Sequence, residues 1–159
     1  MHQTLYHPAH GALFVRHFGQ LSGAESQFAV VRAFEMMSIE HRRGCSRVLL
    51  DVREVTHATV EETDRAMSSR TERALATLIG AGEKDLRRVL QKLIFTCVMD
   101  PDNPCTAILL ERIKRGSASI WGGLTVVSNL AEGLACLGLP TDLPVEYPQA
   151  PQVHGIATP

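Results

Sequence analysis

The chain has 159 residues, of which 45% are hydrophobic and 21% charged. These are ordinary values for one globular domain with a sizeable core. Its 16 basic and 17 acidic residues leave a net charge of −1, which gives no electrostatic basis for binding nucleic acid or an anionic membrane. No apolar run reaches the roughly 18 residues of a transmembrane helix, and no signal peptide is recognisable. We therefore expect a cytoplasmic protein.

The first eleven residues contain three histidines, His2, His7 and His10. His7 and His10 have a spacing seen in metal sites, but no carboxylate or thiol lies near them in the sequence. We therefore expect a mobile or strand-like N-terminal arm here in preference to a metal site. The alternating residues of Ala12–Phe18 predict the first clear strand, which we expect Gly19 to end.

A helix should follow, because Ser22 and Glu25 form a capping box. We expect this helix to continue as far as the basic triplet His41–Arg43, whose charge suits the negative end of a helix dipole. Gly44 is a natural residue at such a helix end.

The stretch Arg47–Val55 indicates a central strand that runs into a charged loop. Val48–Val52 is almost continuously apolar, which is typical of a parallel strand covered on both faces. Thr59 and Glu62 form a second capping box and predict the next helix, which Gly80 should end.

The second half of the chain repeats this alternation. Leu93–Met99 predicts a third buried strand, and Asn103-Pro104 predicts the start of another helix. Leu124–Val127 predicts a short fourth strand. Asn129 should begin the last helix, and Gly138 should close it.

This order predicts an α/β fold with a mostly parallel sheet of about four to five strands and helices packed on it. The N-terminal arm could add an antiparallel strand at one edge. We expect residues 1–139 to form a single domain. The region 140–159 contains five prolines, so we expect it to be an extended or disordered tail.

Three segments resemble the SpoIIAA-like group of STAS-type domains, and the resemblance covers roughly residues 5–140. They are Gly11–Val15, Arg47–Val55 and Leu124–Leu139. The resemblance implies a sheet with helices packed on it and no catalysis, and we expect no cofactor. It also implies a regulatory or binding role, with a protein partner or a small apolar, lipid-like ligand.

The chain departs from the wider STAS group at one position of interest. Phosphorylated members carry Asp-Ser-Ser-Gly after the central strand, where this chain has Ala58-Thr59-Val60-Glu61. Thr59 could accept a phosphate at a helix N-terminus. Simple capping of that helix explains Thr59 equally well.

No nucleophile elbow or phosphate-binding loop is present. Asp51, Arg53, Glu54 and His57 lie at the C-terminal end of the central strand, where open α/β sheets place ligand sites, and Asp100 ends the next strand. Asp51, Arg53 and His57 are candidates for ligand binding, and Asp51, His57 and Asp100 also suggest an alternative, a small enzyme or metal-binding protein. Asp51 and Arg53 could instead form a structural ion pair.

The remaining candidates are apolar or thiol side chains. None of the four cysteines forms a C-x-x-C pair, and the apolar neighbours of Cys97 predict an unreactive thiol. Trp121 could cover an apolar cleft or simply pack. The pair Met36-Met37 could form an adaptable contact surface, and a homodimer is possible through a sheet edge or a helix face.

Overall fold

The computed structural model describes residues 1–59, 64–80, 91–116 and 124–148. Five strands are present in this part of the chain: β1 (His2–His7), β2 (Ala12–Leu21), β3 (Arg47–Ala58), β4 (Ile94–Val98) and β5 (Thr125–Val127). The helices are α1 (Gly23–Met36), α2 (Ile39–Gly44), α3 (Asp64–Ile79), α4 (Thr106–Gly116) and α5 (Leu130–Cys136), and a 3-10 turn covers Pro8–His10. None of the described helices has the length and apolarity needed to cross a bilayer.

The five strands form one sheet in the order β1-β2-β3-β4-β5. β1 is antiparallel to β2, and the other neighbours are parallel. The predicted α/β class is therefore confirmed, including the antiparallel edge strand from the N-terminal arm. Because the strand order never reverses, this part of the sheet has no topological switch point of the kind that creates ligand crevices in doubly wound folds.

One face of the sheet, called here the helical face, is covered by α1, α3 and α4. Apolar side chains of β2, β3 and β4 pack there against the helices. The residues of this contact include Leu13, Val15, Val48 and Phe95 from the sheet and Phe34, Leu75 and Leu109 from the helices.

The opposite face, called here the tail face, is covered by α5 and the segment after it. Its sheet residues are Ala12, Phe14, Leu49 and Val98, and they pack against Leu134, Leu137 and Leu139. Residues 140–148 contain no helix or strand, yet Leu143, Val145 and Tyr147 also pack on this face.

Helix α5 fits closely onto the sheet. A Cβ atom on Gly133 would lie 2.9 Å from Cγ2 of Val98, so only glycine permits this approach. The helix ends as predicted at Gly138, which has a φ of 67°, with the amide of Leu139 donating to the carbonyl of Leu134 at 2.9 Å. This bond is typical of a Schellman motif.

The Arg47 side chain holds the C-terminal end of the same helix through a backbone hydrogen bond. Its Nε donates to the carbonyl of Leu137 at 2.8 Å, and its Nη1 donates to the carbonyl of His10 at 2.7 Å. The first residue of β3 thus joins the end of α5 to the 3-10 turn after β1.

Two strands are longer than the sequence predicted. β2 continues past Gly19 to Leu21, and β3 continues past Val52 to Ala58. Gly19 adopts a left-handed φ of 69° at a shift in the β2–β3 register, and β2 continues beyond it. The predicted charged loop after Val52 is therefore part of a strand.

The first predicted helix is also divided in two. α1 ends at Met36, and Ser38 starts α2 by accepting a hydrogen bond from the amide of His41 at 3.1 Å. Arg42 closes the end of α1, since its Nε donates to the carbonyl of Phe34 at 2.6 Å. The capping box between Ser22 and Glu25 is confirmed.

Candidate functional site

Asp51 and Arg53 form an ion pair on the tail face. Arg53 Nε donates to Oδ1 of Asp51 at 2.9 Å, and Nη2 donates to Oδ2 at 2.8 Å. The backbone amide of Arg53 also donates to Oδ1, at 3.2 Å. Asp51 is 5% exposed, so its carboxylate depends on these donors for solvation. The hydrogen bonds to Asp51 raise the pKa of Arg53.

A second ion pair joins the neighbouring strands. Arg16 of β2 donates to the carboxylate of Glu54 in β3. The register passes from Arg16 opposite Asp51 to Phe18 opposite Glu54, so β3 has one residue more than β2 in this interval. This bulge turns Glu54 toward Arg16, although Asp51 and Glu54 are an odd number of residues apart.

Tyr147 covers these charges from the C-terminal segment. Its ring centroid lies 5.7 Å from the guanidinium carbon of Arg16, within the range of a cation–π contact. Burial and the negative charge of Asp51 raise the pKa of the Tyr147 phenol, while Arg16 and Arg53 oppose that shift. The hydroxyl is buried and has no hydrogen-bond partner among the described residues.

These five side chains, Arg16, Asp51, Arg53, Glu54 and Tyr147, are called here the charged cluster. Two carboxylates and two guanidinium groups balance each other, and both carboxylates already have a partner. The cluster is suited to holding residues 143–147 on the sheet.

Asp100 lies apart from that pairing, in the turn after β4. Its Oδ1 accepts from the amide of Asp102 at 3.0 Å, and its carbonyl accepts from the Thr106 hydroxyl at 2.5 Å. Asn103 ties the turn to β3, since its Nδ2 donates to the carbonyls of Arg53 and Val55 at 3.0 and 2.7 Å. Both side chains therefore shape the start of α4, which begins at Thr106.

The remaining site residues predicted from the sequence are His57, Thr59 and Trp121. His57 is exposed near the end of β3, opposite Gln20 in the register. Thr59 is half-buried just after β3. Residues 60–63 and Trp121 lie outside the described part of the chain, so capping or phosphorylation at Thr59 and a lid at Trp121 stay predictions.

Three of the four cysteines are buried and all four are free. Burial raises the pKa of Cys45 to about 11 and that of Cys97 to about 12. Both thiols are therefore protonated at neutral pH and unsuited to nucleophilic attack. The raised pKa of Cys97 agrees with the shift predicted from its apolar neighbours.

Each histidine of the N-terminal arm has its ring near that of another histidine. The rings of His7 and His10 are 5.7 Å apart, and those of His2 and His17 are 6.1 Å apart. Within residues 1–59, 64–80, 91–116 and 124–148, no three His, Cys, Asp or Glu side chains come close enough to hold a metal ion.

Comparison with known proteins identifies no relative. No family model, no curated protein and no solved structure matches the chain.

Sequence reasoning missed two members of the charged cluster, Arg16 and Tyr147. Arg16 carried a signal, because it shares a strand face with the core residue Phe14. Tyr147 also carried one: Leu143, Val145 and Tyr147 alternate with polar or proline residues, which is typical of an extended segment with one buried side. The prolines of the tail obscured that pattern.

Proposed function

We propose that this protein is a non-enzymatic binding module that engages a protein partner through the outer surface of α1 and α2. The observation that carries the proposal is the exposure of three large apolar side chains there. Phe28 is 53% exposed, Met36 88% and Ile39 62%.

These three residues, called here the α1–α2 patch, have the composition of a protein contact. Met36 ends α1 and Ile39 begins α2, so both lie at the bend between the helices. Aromatic and methionine side chains are enriched at interface centres, and charged residues form the rim. Arg32 and Glu35 are exposed on the same helix and could supply that rim.

The charged cluster supports binding over catalysis. The two carboxylates of this cluster are held in ion pairs. Outside the cluster, the thiols of Cys45 and Cys97 are protonated at neutral pH. A partner-binding role also agrees with what the resemblance to SpoIIAA-like domains implies. A lipid-like ligand is the less favoured occupant, because the apolar tail face is already covered by residues 130–147 of the chain itself.

Site-specific photo-crosslinking in the native host tests this proposal. A photoreactive amino acid replaces Met36 in one variant and Ala131, an exposed residue of α5, in a control. We expect a discrete protein adduct at position 36 and none at 131. Adding Phe28→Ser and Ile39→Ser should abolish the adduct while circular dichroism remains unchanged.

Two results would count against a partner at the α1–α2 patch. One is the same adduct pattern at positions 36 and 131. The other is an adduct that survives both serine substitutions. Native mass spectrometry of the purified protein examines the alternative occupant, because a retained small mass that is lost on denaturation would indicate a ligand.

A further inference from the structure

The outer edge of β1 has no strand partner among the described residues, because β1 ends the sheet. Met1 and Phe18 exchange two backbone hydrogen bonds, of 3.1 and 3.3 Å. Bonded and non-bonded pairs alternate along an antiparallel ladder. With the β1–β2 register, Gln3, Leu5 and His7 therefore bond to β2. The backbone N–H and C=O groups of the residues between them point away from the sheet, and these are His2, Thr4 and Tyr6.

This spacing fits a second copy of the same strand. If two β1 strands run antiparallel about a two-fold axis at Thr4, each Thr4 faces the other copy's Thr4. His2 then faces Tyr6 of the second copy, and Tyr6 faces its His2. Each pair exchanges two hydrogen bonds, so all six outward groups of each strand find a partner. We propose that the protein forms a homodimer by pairing β1 with β1 of a second copy about Thr4.

Several features of β1 suit it to this role. Natural edge strands are usually protected by lysine, inward charges, proline or a bulge. β1 has the sequence HQTLYH and an unbroken register with β2, so it has none of these. Burial lowers the pKa of His2 below its ordinary value, which disfavours a positive charge at this end of the strand. β5, at the other end of the sheet, has only three residues.

Hydrogen exchange with residue resolution tests the pairing directly. In the dimer the amides of Thr4 and Tyr6 should become protected as the protein concentration rises. The amides of Leu5 and His7 should be protected at every concentration, because they bond to β2. Protection of Thr4 and Tyr6 that is independent of concentration would mean intramolecular cover and would overturn the proposal. So would fast exchange of both amides at every concentration.

Sedimentation equilibrium of two Thr4 variants provides the second measurement. Thr4→Pro removes an outward N–H and leaves the β1–β2 ladder intact, since edge strands tolerate proline where the N–H faces solvent. It should raise the dimer dissociation constant at least about tenfold, because two intermolecular hydrogen bonds are lost. The matched control Thr4→Val keeps the amide and should keep the dimer.

A dimer of unchanged affinity in Thr4→Pro would overturn the proposal, as would a wild-type protein that stays monomeric at all accessible concentrations. If Thr4→Pro does not fold, the exchange measurement on the wild-type chain decides alone. The α1–α2 patch lies on other elements, so failure here would leave the proposed partner surface untouched.

Discussion

Arg53 holds both carboxylate oxygens of Asp51, a residue two positions earlier in the same strand. Asp51 is almost fully buried, whereas the Arg53 side chain is 37% exposed. Loss of the arginine would leave a buried carboxylate without its cation. We expect Arg53→Met to lower the free energy of unfolding by about 2 kcal/mol or more.

Urea denaturation of Arg53→Met and Glu54→Gln would measure this difference. Glu54 is 58% exposed in its own ion pair, so its substitution should change stability by less than about 1 kcal/mol. Equal effects of the two substitutions would contradict the importance assigned to the buried pair.

Gly133 gives a prediction with a definite sign. On an exposed helix, replacing glycine by alanine stabilises by about 1 kcal/mol. Here the new methyl group would meet Val98 at 2.9 Å and Leu49 at 3.1 Å. We therefore expect Gly133→Ala to destabilise the protein by about 1 to 3 kcal/mol, measured by thermal or urea unfolding. A more stable variant would show that α5 does not lie against the sheet as described.

We expect the aromatic ring of Tyr147, and not its hydroxyl, to hold residues 140–148 on the sheet. The hydroxyl is buried without a partner among the described residues, so Tyr147→Phe should leave stability unchanged or raise it by up to about 1 kcal/mol. Tyr147→Ala removes the ring from Arg16 and from the tail face. It should increase proteolytic cleavage of residues 140–148 severalfold relative to Tyr147→Phe. Equal cleavage of the two variants would argue against an anchoring ring.

Thiol labelling should distinguish Cys136 from the other cysteines. Cys136 is exposed, and the other three are buried. We expect one of the four thiols to react rapidly with a disulfide reagent in the folded protein and all four after unfolding. Cys136→Ser should abolish the rapid phase. A rapid phase that persists in this variant would show that a buried thiol is accessible.

The capping box of α1 predicts a dependence on pH. The hydrogen bond from the backbone amide of Ser22 lowers the pKa of Glu25 below its ordinary value of 4.5. Since the folded pKa is the lower one, this contribution to stability is complete above about pH 4.5 and is lost as the pH falls through the folded pKa. The difference in melting temperature between the wild type and Glu25→Gln should therefore shrink on acidification from pH 7 to 3. A constant difference would contradict the assignment.

Local chemistry was enough to predict most of the fold. The apolar run Val48–Val52, the caps at Ser22 and Asn129 and the glycine end at Gly138 depend on neighbours in sequence, and all four are confirmed. The break at Ser38 was missed because the helical pattern continues across it, while the hydrogen bonds of Arg42 that close α1 are tertiary contacts.

The charged cluster could be predicted only in part, because its geometry depends on register. Asp51 and Arg53 are two residues apart on one strand, so their pairing was among the interpretations of the sequence. The contact of Arg16 with Glu54 requires the β2–β3 bulge, and the contact of Tyr147 with Arg16 spans 131 positions of the chain. Neither relation is encoded by spacing within a single element.

The two faces of the sheet are covered at different stages of translation. The residues that cover the helical face alternate with the strands, so each strand acquires its cover as the chain grows. Residues 130–147, which cover the tail face, are translated after all five strands. A nascent chain that has just completed β5 therefore presents Phe14, Leu49 and Val98 without their cover. We expect this intermediate, and not the finished fold, to be the species most dependent on chaperones.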